Sequence, residues 1–217
     1  MNLVFLGPPG SGKGTLAKLL SAELNIPHIS TGDMLREEAK LATFLGMKVK
    51  PFMEKGELVP DNIILEVMKE RLGKSDCQKG FLLDGFPRTI PQALGLDNML
   101  KELTKSIDLV LKFEVSEDCV LKRLGGRLIC SKCGADFNLY TKPPQKDLIC
   151  DFCGSQLYQR PDDAQEVILN RLKVYKDQTL PIEEYYNKQG KLRKVNGELD
   201  SGSILINVLH ILQSKNQ

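Results

Sequence analysis

Short apolar runs alternate with longer stretches of helical spacing along most of the chain. Leu3-Val4-Phe5-Leu6, Gly80-Phe81-Leu82-Leu83-Asp84 and Ile107-Asp108-Leu109-Val110-Leu111-Lys112-Phe113 read as buried strands. Pro27-His28-Ile29-Ser30 and Leu192-Arg193-Lys194-Val195 are shorter extended candidates. Between them lie helices. Leu16, Leu19, Leu20 and Leu24 share the face of a first one. Thr31 and Asp33 offer caps for a second through Met34, Leu35 and Ala39, and a short third covers 46–55. Asp61 caps a fourth with Ile64, Leu65, Val67, Met68 and Leu72 as its apolar positions. Further helices run over 93–103, from Ser116 to Gly125-Gly126, from Asp162 to about Lys188, and over 204–212. Strands separated by helices of this length pair in parallel through crossovers, which predicts an α/β fold with a five-stranded parallel sheet and helices around it.

The segment 127–160 breaks this rhythm, being rich in Cys, Pro and Gly. Cys130-Ser131-Lys132-Cys133 and Cys150-Asp151-Phe152-Cys153 form two C-x-x-C knuckles separated by the sixteen residues 134–149. That spacing matches a tetrahedral Zn²⁺ site, and four protein thiolates leave no open position, so the role is structural. Metal ligation supplies folding energy that so short a segment lacks. Cys77 and Cys119 stand apart and read as packing residues; His28 and His210 read likewise.

Gly7-Pro8-Pro9-Gly10-Ser11-Gly12-Lys13-Gly14-Thr15 lies between the first strand and the first helix. Strand, glycine-rich turn and helix is the setting in which backbone N–H groups and a helix N-terminus bind phosphate. Lys13 adds a mobile charge, and Thr15 a hydroxyl near a Mg²⁺ position. Ser or Thr usually follows the lysine directly; here Gly14 intervenes. Ligands in such sheets bind at the carboxyl ends of the strands, so this loop and Asp84 should face one cleft. A carboxylate there suits Mg²⁺ held through water, or a helix cap. Arg36, Arg88, Arg123, Arg127, Arg160 and Arg171 lie near strand–helix junctions or the edges of the cysteine segment. Guanidinium forks match phosphate oxygens, and six of them suit more than one phosphate chain.

Charge narrows the partners. With Lys+Arg 30 against Asp+Glu 28, the net charge of +2 argues against a nucleic-acid-coating surface. The start lacks the basic region of a secretory signal, and no apolar stretch approaches membrane-spanning length. The expectation is a cytoplasmic protein acting as a monomer, without membrane or nucleic-acid partners.

Together these motifs resemble the adenylate kinase family in its bacterial, zinc-containing, long-lid form. The matching residues span the chain: Gly7 to Thr15, Ser30 to Arg36, Asp84 to Arg88, Gln92, Gly126-Arg127, the four cysteines, and Gln159-Arg160-Pro161-Asp162-Asp163. The family's loop also carries Gly before Thr, so Gly14 is no anomaly. The resemblance implies Mg²⁺-dependent transfer, ATP + AMP = 2 ADP. It implies that Thr31, Arg36, the Gly85-Phe86-Pro87-Arg88 turn, Gln92 and the backbone at Glu57, Leu58 and Val59 hold AMP. Gly10, Ser11, Gly12, Lys13, Gly14, Thr15, Arg123, Arg127, Asp136, Phe137 and the backbone near Leu199 would meet ATP. Arg160 and Arg171 would bridge both substrates' phosphates, with Lys13, Arg88 and Arg123 sharing the catalytic work. A core of 1–29, 60–125 and 164–217 would carry a helical AMP-binding insert at 30–59 and a zinc-binding lid at 126–163. Thr31 and Gln92 look like the adenine-reading pair, where pyrimidine relatives tend to carry Ala and Asn. Two alternatives stay open: a GTP-using or other nucleoside monophosphate kinase, and a zinc-knuckle ATPase that binds nucleic acid.

Overall fold

In the computed structural model, which describes residues 1–214, the elements in chain order begin with β1 (Asn2–Leu6), α1 (Lys13–Leu24), β2 (His28–Ser30), α2 (Thr31–Lys40), α3 (Phe44–Lys55) and α4 (Asp61–Leu72). They continue with β3 (Phe81–Asp84), α5 (Ile90–Glu102), β4 (Leu109–Glu114), α6 (Glu117–Gly125), β5 (Arg127–Cys130), β6 (Asp136–Asn138) and β7 (Leu157–Tyr158). The last are α7 (Gln165–Val174), α8 (Pro181–Lys188), β8 (Leu192–Asn196) and α9 (Ser201–Ser214).

Successive side chains of the central strands enter two different cores. Leu3 and Phe5 of β1, Leu82 of β3 and Leu109, Leu111 and Phe113 of β4 pack with Leu16, Ala17 and Leu20 of α1 and Ile204, Val208 and Leu212 of α9. Val4 and Leu6, Phe81 and Leu83, and Val110 point the other way, onto Met68 of α4, Leu96 and Leu100 of α5, and Ile182 and Tyr186 of α8. This is the two-residue period of strands covered on both faces, and it accounts for their near-continuous apolar sequence.

All five expected strands join one sheet in the order β2-β3-β1-β4-β8, with every pairing parallel. The chain leaves β1 toward the β2 edge and leaves β4 toward the β8 edge, which opens a crevice at their carboxyl ends. Phe5 pairs with Asp84, so the end of β3 lies beside the start of the glycine-rich loop.

The structure corrects four expectations. Leu19 is 43% exposed. It stands about 100° round the helix from Leu20, on the side away from Ala17, and the buried face of α1 is Leu16, Ala17 and Leu20. Ser30, rather than Thr31 or Asp33, caps α2, its hydroxyl accepting from the Asp33 N–H. Asp61 is the first residue of α4 and does not cap it; its carboxylate is engaged elsewhere. The stretch 162–188 is not one helix. A single 3₁₀ turn at Pro161–Asp163 precedes α7, and a π turn at Tyr175–Thr179 separates α7 from α8. Pro181 has no N–H to give, and its ring would crowd a preceding carbonyl in a regular helix.

The cysteine segment contains a three-stranded antiparallel sheet, β6-β5-β7, in a stretch whose apolar pattern predicts no strand. Its core is only Leu128, Cys130, Phe137, Cys150 and Leu157. So small a cluster is marginal without a further constraint.

The buried and exposed positions give a direct test. Phe113→Ala, at 0% exposure, should lower unfolding stability by about 3–5 kcal/mol in a denaturant titration. Leu19→Ala should change it by less than about 1 kcal/mol.

Candidate active site

The loop after β1 is shaped by two glycines whose reasons differ. Gly10 has φ of 76°, and a Cβ there would lie 2.8 Å from Leu124. Gly14 has ordinary helical backbone, but a Cβ would sit 3.3 Å from the Asp84 carboxylate. Gly14 therefore lets α1 start against the end of β3. Gly12 caps α1 without a side-chain acceptor, and no acidic residue occupies the first turn. The helix N-terminus is thus left open to an outside anion.

Lys13 folds back over the loop. Its Nζ donates to the carbonyls of Gly7 and Pro8, both at 2.8 Å, and to Ser11 Oγ at 3.0 Å. Burial lowers its pKa to about 8; Asp84 opposes this, and Arg88, Arg171 and Arg127 add to it. Its charge is therefore held at a cost that a phosphate would remove.

Two recesses adjoin. The larger contains all the residues expected to meet ATP: Gly10 to Thr15, Arg123, Arg127, Asp136, Phe137 and Leu199, together with Asp84 and Arg160. The smaller is lined by Thr31, Arg36, Glu57, Leu58, Val59, Gly85, Arg88, Gln92 and Arg171. Arg36, Arg88 and Arg171 line both. Phe86 and Pro87 line neither. Phe86 is fully buried in the sheet's core, where a phenyl ring gains more than at a polar recess.

The floor of the smaller recess is a hydrogen-bonded chain. Thr31 Oγ1 donates to the Gly85 carbonyl at 2.8 Å, and Arg88 Nε donates to the same oxygen at 2.8 Å. Gln92 Oε1 accepts from the Arg88 N–H at 2.7 Å, while its Nε2 donates to Asp61 at 2.7 Å. Asp61 also accepts from the Thr89 hydroxyl at 3.0 Å. Asp61 thereby fixes which end of the Gln92 amide faces which way.

Three aspartates brace the arginines. Asp163, with a 0% exposed side chain, accepts from Arg127 Nε at 2.7 Å and from Arg171 at 3.3 Å. Asp162 pairs with Arg171 at 3.1 Å and reaches Arg36 at 3.7 Å. Asp33 pairs with Arg36 at 2.6 Å and Arg160 at 3.5 Å. Burial alone would raise the Asp33 pKa, but Arg36 and Arg160 outweigh it and hold it at about 2. Burial brings Arg171 down to about 10 despite Asp162. Burial and neighbouring guanidinium groups lower Arg88 and Arg160 as well. The cluster is an anion site whose cations are incompletely compensated. Asp84 has a different neighbour: His28 Nε2 is buried 3.5 Å from its Oδ2 and has no hydrogen-bond partner.

Toward the cysteine segment, Arg123 donates to the Gly197 carbonyl at 2.7 Å, tying α6 to the loop before α9. Asp136 is paired with Lys18 of α1 at 2.6 Å, which brings the small sheet onto the loop's helix. Phe137 is buried against Cys130 and Cys150. The four cysteines of the knuckles are free, and their sulfurs all lie within 4.8 Å of one another. Bonds of about 2.3 Å to a tetrahedral Zn²⁺ put sulfurs roughly 3.8 Å apart, so the donor set and spacing are compatible with that ion.

Sequence reasoning missed the supporting residues Lys18, Asp33, Asp61, Asp162 and Asp163. Asp162 and Asp163 lie in the same short motif as Arg160, and carboxylates two and three positions from a site arginine are the available signal. Nothing local marks Asp61 or Lys18, because their partners lie 31 and 118 positions away.

A family model described as adenylate kinase matches residues 5–191. A protein named adenylate kinase from Thermosipho melanesiensis is 53% identical over 213 residues, covering 98% of this chain and 100% of its own. Adenylate kinases from Archaeoglobus fulgidus and a Geobacillus species are 52% and 50% identical, each with 98% of both chains covered. With two adjoining anion recesses, a glycine-rich loop ending in Lys13 and near-complete coverage at this identity, the chain belongs to the adenylate kinase family.

Proposed function

We propose that this chain catalyses reversible phosphoryl transfer, ATP + AMP = 2 ADP, with ATP in the larger recess and AMP in the smaller. The single observation that carries this assignment is the shared wall: Arg36, Arg88 and Arg171 line both recesses. A phosphate chain entering from each side would meet the same guanidinium groups, which is where a group passing between them needs charge.

The loop from Gly10 to Thr15, with Arg123 and Arg127, would hold the donor's phosphates. Thr31, Arg36, Gly85, Arg88 and Gln92 would hold AMP, with the backbone at 57–59. Arg160 and Arg171 would bridge the two. Segment 30–59, chiefly α2 and α3, is the AMP-binding insert in this reading, and 126–163 the lid. Contacts already in place support a lid that reaches the core through Lys18–Asp136 and the AMP-binding insert through Arg160–Asp33.

The acceptor is a phosphate oxygen of AMP, anionic at neutral pH. It forms a bond to the γ-phosphorus of ATP as the bond to the β–γ bridging oxygen breaks, and ADP leaves with that electron pair. No proton must be removed, so Lys13, Arg88, Arg123, Arg160 and Arg171 act by alignment and charge neutralisation. Phosphate binding would draw Lys13 off its own loop carbonyls and release the arginines from Asp33, Asp162 and Asp163. Mg²⁺ bound with ATP, held through water by Asp84, would neutralise donor phosphate charge. Zn²⁺ on Cys130, Cys133, Cys150 and Cys153 would be structural, offsetting the small core of the lid. Near-balanced charge supports nucleotides rather than nucleic acid as partners. Both recesses are built within one chain, which supports a monomer. Four free thiols at metal-ligand spacing support a reducing, cytoplasmic setting. Among the described residues no helix is long and apolar enough to cross a membrane.

Three outcomes are expected. Arg88→Ala lowers ADP formation by about 10²-fold or more with an unchanged melting profile; near-normal turnover overturns its role. A coupled assay across donor and acceptor bases gives ATP with AMP the highest kcat/KM, and a GTP or pyrimidine preference would reassign the substrates. Chelation removes one Zn²⁺ per chain and lowers Tm by about 10 °C or more, because bound metal contributes several kcal/mol to folding.

The depressed Lys13 gives a fourth. Its pKa of about 8 rises when a phosphate neutralises the surroundings, so binding takes up a proton above that pH. ATP affinity should be flat below pH 8 and fall by up to about tenfold per unit above it. Calorimetry at about pH 9 in two buffers of different ionisation enthalpy measures the uptake. Lys13→Met should abolish it.

A further inference from the structure

The helix that carries Arg171 is interrupted one turn later, and the interruption ends next to Arg88. α7 stops at Val174, and Tyr175–Thr179 form a π turn closed by the Leu180 N–H donating to the Tyr175 carbonyl at 2.9 Å. Such a turn inserts one extra residue into a helix and rotates the next helical segment about the axis, and it recurs at functional sites. Both ends of this one are tied down. At its start, the Tyr175 hydroxyl donates to Glu183 at 3.1 Å, and Glu183 pairs with Lys112 of β4 at 2.6 Å. At its end, Thr179 is buried, and its hydroxyl donates to the Arg88 carbonyl at 2.9 Å.

The backbone of Arg88 is therefore held on both sides of its Cα, its N–H by Gln92 and its C=O by Thr179. Gln92 belongs to α5 and Thr179 to the strap that continues α7. Arg171, Thr179 and Arg88 all line the cleft. The wall shared by the two recesses is thus assembled from segments distant in the chain, and the bond from Thr179 to Arg88, 91 positions away, joins them.

We propose that Thr179 is a positioning residue for the phosphoryl transfer. Presented by the π turn, it fixes the Arg88 backbone relative to the helix bearing Arg171, so that the two guanidinium groups meet the transferring phosphate together. Thr179 acts through Arg88, since its hydroxyl is given to the carbonyl of that residue. The assignment rests on the reading of Arg88 as a phosphate-holding residue, which the Arg88→Ala rate tests separately.

The test is a set of steady-state measurements on Thr179→Val, Thr179→Ser, Arg88→Ala and the Thr179→Val/Arg88→Ala pair, each assayed well below its own melting midpoint. Valine keeps the shape and removes the donor; serine keeps the donor. Thr179→Val should lower kcat by about ten- to a hundredfold and raise the AMP KM, with the ATP KM unchanged. Thr179→Ser should restore kcat to within about threefold of the parent. In the Arg88→Ala background, Thr179→Val should cost almost nothing more, since the group it positions is gone. Parent-like kcat and AMP KM for Thr179→Val overturn the proposal. So does a serine variant as slow as the valine one, and so do losses that multiply in the double variant. If Arg88→Ala itself retains activity while Thr179→Val loses it, the reading of Arg88 fails, and with it the route by which Thr179 is proposed to act.

Discussion

Confining Lys13 and six arginines to one partly buried space is the constraint on which this structure turns. Each guanidinium group loses hydration and repels its neighbours, and the lowered pKa values of Lys13, Arg88, Arg160 and Arg171 register that cost. A chain that folds before it meets any ligand must hold these cations with countercharges of its own. Asp33, Asp84, Asp162 and Asp163 supply the countercharge, and Lys13 satisfies itself on loop carbonyls. These bonds are exchangeable by their chemistry: a phosphate oxygen offers the same acceptor geometry with more charge.

The same constraint organises the fold. The parallel sheet brings the end of β1 beside the end of β3, which sets the glycine-rich loop against Asp84. Asp163 joins the strand that opens the small sheet to the helix after it, through Arg127 and Arg171. Asp61 locks Gln92, and Gln92 with Thr179 locks Arg88. Nearly every polar link in the cleft ends on a cation or on a residue that orients one. The cysteine segment joins this network at its two ends, through Arg127 and Asp163. Between those ends its core is five residues, beside four sulfurs that lie within 4.8 Å of one another.

The chain's own sequence determined a good deal. Apolar runs placed the three central strands of the parallel sheet, because strands covered on both faces leave no freedom in their pattern, while β2 and β8 showed only as shorter extended stretches. Two C-x-x-C knuckles marked a cluster that the structure brings within 4.8 Å. The glycine-rich loop marked the first recess, because its chemistry lies in consecutive backbone groups. Tertiary structure alone decided the rest. The strands of the small antiparallel sheet are two to four residues long, too short to show a period. Leu19 has the same spacing as its buried neighbours, and only the placement of α1 between the sheet and α9 determines which side of it is covered. Asp61, Lys18 and Thr179 carry no local signal, since their partners are brought near by crossovers of the sheet. Phe86 lies within the expected site motif, yet its ring is claimed by the core. Consecutive residues write backbone chemistry and burial into the sequence; which side chain will orient a distant arginine is settled only when the sheet closes the distance.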